Sequence, residues 1–120
     1  MAKEINASVS LAITTALGVS AERTESMTID QSGNALAHFV QSIPSSGNNA
    51  LDTGRAALGT EGMYFIKNLD SSNYVQIGLT GSYFMRLNPG ESTVFRSNQA
   101  AVYAQSNNAA CLIEVMVFED

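Results

Sequence analysis

The sequence predicts an all-β fold, a single-domain antiparallel β-sandwich of the jelly-roll type with about eight or nine short strands. Apolar residues recur with a period of about two rather than 3.6. Short runs rich in Val, Ile, Tyr and Phe alternate with clusters of Gly, Asn, Ser and Asp, which favour turns. The chain has 120 residues, enough to bury a core without disulfides or metal, so residues 1–120 are expected to form one domain.

The first third of the chain is predicted to contain one long strand and one short strand. Residues 3–14 alternate apolar with polar side chains, which is typical of a half-buried strand. Residues 15–26 are expected to form a loop, and residues 26–30 the short strand. A turn at residues 31–34 then leads into a third strand at residues 35–43.

The longest predicted loop spans residues 44–62, which are dense in Gly, Ser and Asn. A compact domain keeps such a loop when a function or a partner uses it. Six short strands separated by turn-forming clusters are expected beyond it, in residues 63–68, 73–78, 82–87, 92–96, 100–105 and 110–118.

Two of these strands are apolar on both faces. The last strand has one apolar face formed by Cys111, Ile113, Val115 and Val117. Its other face combines Glu114 with Leu112, Met116 and Phe118. In residues 82–87, Phe84 and Arg86 oppose a second apolar row. A two-layer sandwich buries one face of each sheet, so the second faces predict a further subunit, and we expect a homo-oligomer.

Composition excludes several classes of function. Lys and Arg number 6 against 11 Asp and Glu, giving a net charge of −5, so no nucleic-acid partner is expected. Only 14% of residues are charged, which suits a surface packed in an assembly. Cys111 is the single cysteine, so no intrachain disulfide or cysteine zinc site can form. Residues 1–13 lack the continuous apolar run of a signal peptide, and no membrane span is expected.

The sequence shows no constellation of catalytic or metal-binding residues. His38 is the only histidine, and the usual triads and metal sites cannot be assembled from it and one cysteine in an apolar strand. Asp30, Asp52 and Asp70 are interpreted as turn residues that cap backbone N–H groups. We therefore expect that the protein is not an enzyme and binds no cofactor or metal. Enzymatic activity would require two carboxylates converging in a cleft.

The stretch YFMRLNPGESTVFR, residues 83–96, predicts a hairpin. Pro89 fixes its own φ and Gly90 permits the positive φ of a type II turn. Arg86 and Arg96 lie on the two arms, and pairing of an arginine with Glu91 would fix the register. These two arginines are the charged residues expected at an interface.

Residues 63–120 resemble a family of small virion-associated proteins of tailed bacteriophages. The resemblance rests on an aromatic strand ending in Asn-Leu-Asp, then Asn-Tyr-Val and Gly, then Leu-x-Pro-Gly-Glu, then an apolar strand ending in acidic residues. In the first half, only MAKEINASVSLAI and NNALDTG are similar. The resemblance implies a structural component of the virion, made in the host bacterial cytoplasm.

The expected function is therefore that of a non-enzymatic decoration or cement protein, bound to the major capsid protein or another virion protein as a homo-oligomer, with a trimer favoured. Residues 1–13 could add as a strand to a neighbour if they are unpaired in their own sheet. The residues expected at the interface are Phe84, Arg86, Arg96, Leu112, Met116 and Phe118. The alternative is a carbohydrate- or receptor-binding module of a tail or fibre, in which exposed tyrosines stack on sugar rings.

Overall fold

The computed structural model describes residues 5–31, 33, 35–51, 60–98 and 100–119. Within these ranges the chain forms ten strands and no helix, and every strand pairs antiparallel with its neighbours. The prediction of an all-β, sandwich-like fold is confirmed. The strand number exceeds the expected eight or nine because a short strand lies within the predicted loop 44–62.

The chain divides into two compact units, residues 1–32 and residues 33–120. The first contains strands β1 (Ile5–Thr14) and β2 (Ser20–Ile29). These form a hairpin whose register runs without interruption from Ile5 opposite Ile29 to Thr14 opposite Ser20. The single domain expected for residues 1–120 stays a prediction.

The structure of this hairpin differs from two expectations drawn from the sequence. Residues 20–26, expected in a loop, belong to β2. Their sequence, SAERTES, lacks apolar alternation, but polar side chains pair across the strands instead, with Ser10 Oγ 3.1 Å from Thr24 Oγ1. The apolar face of β1, expected to be half-buried, is largely exposed, and Leu11 has 78% of its surface accessible.

The proposed N-terminal arm depended on residues 1–13 being unpaired. Residues 1–4 lie outside the described part of the chain, and β1 is paired with β2 along its whole length. The condition for a free arm is therefore not met by residues 5–13.

The second unit contains eight strands: β3 (Leu36–Ile43), β4 (Asn49–Ala50), β5 (Glu61–Asn68), β6 (Val75–Leu79), β7 (Ser82–Leu87), β8 (Ser92–Arg96), β9 (Tyr103–Ser106) and β10 (Cys111–Glu119). One sheet has the order β3-β10-β5-β8, and the other has the order β4-β9-β6-β7. Residues 52–59 of the predicted loop lie outside the described ranges.

The inward faces of the two sheets form a shared apolar core. The first sheet contributes the predicted inner face of β10, Cys111, Ile113, Val115 and Val117, all fully buried. The second contributes Val75, Ile77, Leu87 and Ala104. Burying these side chains is the main driving force for this unit, at about 25 cal/mol per Å² of apolar surface.

The turn NPGE connects β7 to β8, which are edge strands of different sheets and do not pair with each other. The hairpin predicted for residues 83–96 is therefore wrong, although its turn is present. Gly90 has φ +81°, and Glu91 N–H donates to the Asn88 carbonyl at 3.0 Å, as the predicted turn requires. The expected arginine–Glu91 pair is not formed by Arg86, which instead donates from Nε to Asn88 Oδ1 at 2.9 Å. Glu91 Oε1 accepts from the Asn88 N–H at 2.7 Å, so this carboxylate caps the turn.

Candidate functional site

The outward face of the sheet β3-β10-β5-β8 carries a continuous set of apolar side chains around a few charged ones. We call it the β10 face, formed by Leu36, His38, Val40, Phe65, Lys67, Val94, Leu112, Glu114, Met116 and Phe118. The register between adjacent strands determines which of these side chains lie opposite each other. Met116 lies opposite both His38 and Phe65, and Phe65 lies opposite Val94. One row therefore crosses all four strands.

Exposure of the β10 face is highest on its two outer strands and at the start of β10. Leu36, Val40 and Leu112 each have about half of their surface accessible (51%, 50% and 50%), and Phe65, Met116 and Phe118 are half-buried. Large apolar patches of this kind mark interaction surfaces, because solvent contact with them is unfavourable.

A hydrogen-bonded polar pair lies within this apolar surface. His38 Nε2 lies 2.7 Å from Glu114 Oε2. Glu114 is directly opposite Lys67 on β5 and Val40 on β3. The pair gives the β10 face polar groups whose direction is fixed by neighbouring strands, which is how an apolar interface acquires orientation. The single histidine thus contacts a carboxylate on a sheet surface.

Three of the six predicted interface residues, Leu112, Met116 and Phe118, lie together on the β10 face. Sequence analysis missed four of its apolar members: Leu36, Val40, Phe65 and Val94. A signal was present in residues 36–43, where Leu36 and Val40 alternate with the buried Ala37 and Phe39, so that β3 is also apolar on both faces.

Two further predicted residues, Phe84 and Arg96, line a cleft of ≈ 300 Å³ in the second unit. The rest of its wall comes from β6, β7, β8 and the segment before β9, and includes Ile77, Met85 and Val102. The register of β6 and β7 shifts between Ile77 and Gly78, and this bulge leaves Phe84 78% exposed. Sequence analysis missed the cleft because a bulge has no reliable signature in one sequence.

Gly78 makes this bulge possible. A Cβ added at position 78 would lie 2.4 Å from the Ser82 carbonyl oxygen and 2.9 Å from the Tyr83 Cα. These are backbone atoms of the strand that pairs with β6, so they cannot move aside without disturbing the sheet. The close approach of β6 and β7 therefore requires glycine at this position.

Arg86 lies on the outward face of the sheet β4-β9-β6-β7. Its guanidinium carbon is 3.8 Å from the centroid of the Tyr74 ring, a cation–π contact. The register places Gln76 opposite both Arg86 and Gln105, so this face is polar where the β10 face is apolar. Arg86 therefore lies in a different sheet from the three predicted interface residues on the β10 face.

Tyr64 and Phe95 stack between β5 and β8, with ring centroids 5.2 Å apart. Tyr64 is buried, and among the described residues its hydroxyl has no hydrogen-bond partner. Burial, together with the nearby Glu61 carboxylate, raises the pKa of the Tyr64 hydroxyl far above its usual range. The hydroxyl therefore stays protonated, and the ring acts as part of the core.

Cys111 is placed as an inert side chain. Its thiol is buried and donates to Asn68 Oδ1 at 3.0 Å. Burial, followed by the Asp70 carboxylate, raises the pKa of the Cys111 thiol, which keeps it from the reactive thiolate form.

Asp70 takes the turn role predicted for it. Its Oδ2 accepts from the N–H groups of Ser72 at 2.9 Å and Asn73 at 2.6 Å. Both bonds lower the pKa of the Asp70 carboxyl, and the bond from Asn73 has the larger effect. Asp52, for which the same role was predicted, lies outside the described residues.

In the described part of the chain, no three His, Cys, Asp or Glu side chains are grouped so that they could hold a metal ion. A separate search of the same residues finds no helix long and apolar enough to cross a membrane. A scan against protein-family models, a search of curated proteins and a search of solved structures all return no match to this chain.

Proposed function

We propose that this chain is a non-enzymatic structural protein of a tailed-bacteriophage virion, most specifically a decoration or cement protein that binds the major capsid lattice. It is made in the host cytoplasm and resides in the virion as a homo-oligomer, with a trimer favoured. Its task is to reinforce the shell by covering boundaries between capsid subunits.

The observation that carries the proposal is the β10 face. It presents seven apolar side chains on one sheet surface: Leu36, Val40, Phe65, Val94, Leu112, Met116 and Phe118. An exposed apolar surface of this kind suits burial against another protein, at about 25 cal/mol per Å² of apolar area removed from water. The His38–Glu114 pair at 2.7 Å would orient that contact.

The resemblance of residues 63–120 to virion-associated proteins is the reason for proposing a capsid protein as the partner. The low proportion of charged residues, 14%, supports the same proposal, because each charge buried in an assembly needs a partner.

The test is quantitative mass spectrometry of gradient-purified particles from the source culture. We expect about one copy of this chain for each major capsid subunit, since a decoration protein follows the lattice. A few copies per particle would reject decoration in favour of a neck or tail position. Absence of the chain from particles would overturn the virion proposal.

A second candidate function is a carbohydrate- or receptor-binding module of a tail or fibre. It is favoured by the polar outward face of the sheet β4-β9-β6-β7, where half-buried Tyr74 and Tyr103 lie near Gln76 and Gln105. Tyrosine rings beside amide side chains can stack on sugar rings and hydrogen-bond their hydroxyls. A rise in melting temperature with a glycan, lost in Tyr103→Ala, would support this function, and no rise across a glycan panel would reject it.

A further inference from the structure

Strand β2 presents an accessible edge. Among the described residues it pairs only with β1, within a two-stranded sheet, and nine of its ten residues are exposed. Because the Thr15 N–H donates to the Val19 carbonyl at 2.7 Å, the alternation of antiparallel hydrogen bonds directs the N–H and C=O groups of residues 20, 22, 24, 26 and 28 away from β1. An edge of this length is a template for pairing with another strand.

The two faces of the hairpin differ in character, and this restricts how the edge can pair. One face carries Val9, Leu11, Ile13, Ala21 and Met27, and the other carries mainly Ser, Thr and Asn. An added strand must keep apolar residues on the apolar side, because a slip of one residue exchanges the faces.

Arg23 and Glu25 lie on the apolar side of β2 and make it self-complementary. Arg23 Nε donates to Glu25 Oε1 at 3.0 Å, and their side chains are 80% and 55% exposed. If a second β2 strand pairs antiparallel with Thr24 opposite Thr24, Arg23 of each copy meets Glu25 of the other. These are non-hydrogen-bonded pairs on that edge, so their side chains lie at the closer of the two cross-strand spacings.

We propose that two copies of this chain associate by antiparallel pairing of their β2 edges about a twofold axis at Thr24. The contact forms a four-stranded sheet, β1-β2-β2-β1, with a single apolar side. It adds about ten backbone hydrogen bonds. It also brings Ala21 of each copy opposite Met27 of the other.

Charge selects this register over its neighbours. A shift that centres the axis on Arg23 places two arginines opposite each other. A shift to Glu25 or to Glu22 places two glutamates together. Like charges directly opposite across strands are destabilising, so the register centred on Thr24 is the one that pairs opposite charges. This contact is twofold and goes beyond the proposed capsid binding, since it concerns the chain without any virion partner.

The test is a disulfide trap in the purified full-length chain. Thr24→Cys places two thiols across the axis, where a hydrogen-bonded pair has a Cα separation of about 5.5 Å, within the range that a disulfide spans. We expect a covalent dimer under mild oxidation. The matched control is Ser26→Cys, whose thiols would be ~13 Å apart along the strands and should yield at least tenfold less dimer.

Charge exchange distinguishes the proposed register from chance collision. In the Thr24→Cys background, Arg23→Glu alone and Glu25→Arg alone should each reduce the dimer yield severalfold, since each opposes like charges twice. A mixture of the two variants should restore the yield as a heterodimer, because one chain then carries two acidic side chains and the other two basic ones. The combined change Arg23→Glu with Glu25→Arg should restore the homodimer.

Equal dimer yields from the Thr24→Cys and Ser26→Cys chains would overturn the proposal. A dimer yield from the mixture no higher than that from either single variant would also overturn the proposal. The loss of yield would then arise from changes within one hairpin, not from contacts between two chains. Circular dichroism of each variant excludes unfolding as the cause, and the result is independent of whether the chain binds capsids.

Discussion

The side chain of Asn68, at the end of β5, donates to the main-chain carbonyl of Leu87, at the end of β7, with an Nδ2–O distance of 3.0 Å. This bond joins the two sheets of the second unit at one end of the core. Asn68 also exchanges backbone bonds with the NPGE turn, donating to the Glu91 carbonyl at 2.9 Å and accepting from the Gly90 N–H at 3.1 Å. The Asn-Leu-Asp and Pro-Gly-Glu motifs therefore form one structural corner.

Asn68→Ala should destabilise the protein by about 2–4 kcal/mol. The substitution removes the donors to the Leu87 and Asn73 carbonyls and the acceptor for the Asp70 N–H and Cys111 thiol. Urea unfolding measures the change. The exposed Asn98→Ala is the control and should stay within about 0.5 kcal/mol of wild type. Equal stability of the two variants would show that the corner contributes little.

Tyr64→Phe should leave stability unchanged or raise it slightly, by up to about 1 kcal/mol. The buried hydroxyl has no partner among the described residues, so its removal relieves a desolvation cost while the stack on Phe95 remains. Tyr64→Ala, which also removes the ring, should cost about 3–5 kcal/mol. Thermal unfolding of both variants tests this, and a marked loss in Tyr64→Phe would reveal a hydrogen bond to that hydroxyl.

Gly78→Ala should destabilise the second unit by about 2 kcal/mol or more, through the clash with the Ser82 carbonyl oxygen. Gly47→Ala is a useful contrast, because a Cβ there meets nothing within 4 Å but the residue has φ +78°. Its cost should come from backbone strain alone, about 1 kcal/mol. Were Gly78→Ala as stable as wild type, the bulge beside the cleft would have to be more adaptable than the structure indicates.

Stability should fall in acid partly through Asp70. Its carboxyl has a lowered pKa in the folded state because the carboxylate accepts two backbone N–H bonds. The Asp70 carboxylate therefore contributes its full stabilisation of the folded state above the ordinary carboxyl pKa of about 4. This stabilisation is lost as the pH falls through the lowered pKa of the folded state. Asp70→Asn should reduce stability at pH 7 and flatten its decline below about pH 4. If the stability of wild type and of Asp70→Asn declined in parallel as the pH falls, the loss of stability in acid would come from groups other than Asp70.

The sequence contained enough information for the fold class and for part of the β10 face. Alternation in β10 identified Cys111 and Ile113 as inward and Leu112 and Met116 as outward, because the period of a strand is independent of its partners. The positive φ of Gly90 followed from local turn chemistry.

Features that depend on pairing between strands could not be predicted. The strand at residues 20–26 forms because β1 supplies cross-strand partners, although its own side chains are polar. The row from His38 to Val94 requires the register of four strands, and the cleft requires the bulge at Gly78. Arg86 stacks on Tyr74 rather than pairing with Glu91, because the geometry of the sheet determines which side chains it can reach.

We propose that the β10 face binds the capsid shell, and substitution of one exposed leucine on this face is the decisive experiment. Wild type, Leu112→Lys and Leu79→Lys should be compared for co-sedimentation with capsids assembled without this chain. The two leucines are similarly exposed, 50% and 52%, but Leu79 lies in the other sheet. We predict at least a tenfold weaker association for Leu112→Lys and near wild-type association for Leu79→Lys. Unchanged binding of the folded Leu112→Lys protein would show that the β10 face does not bind the shell.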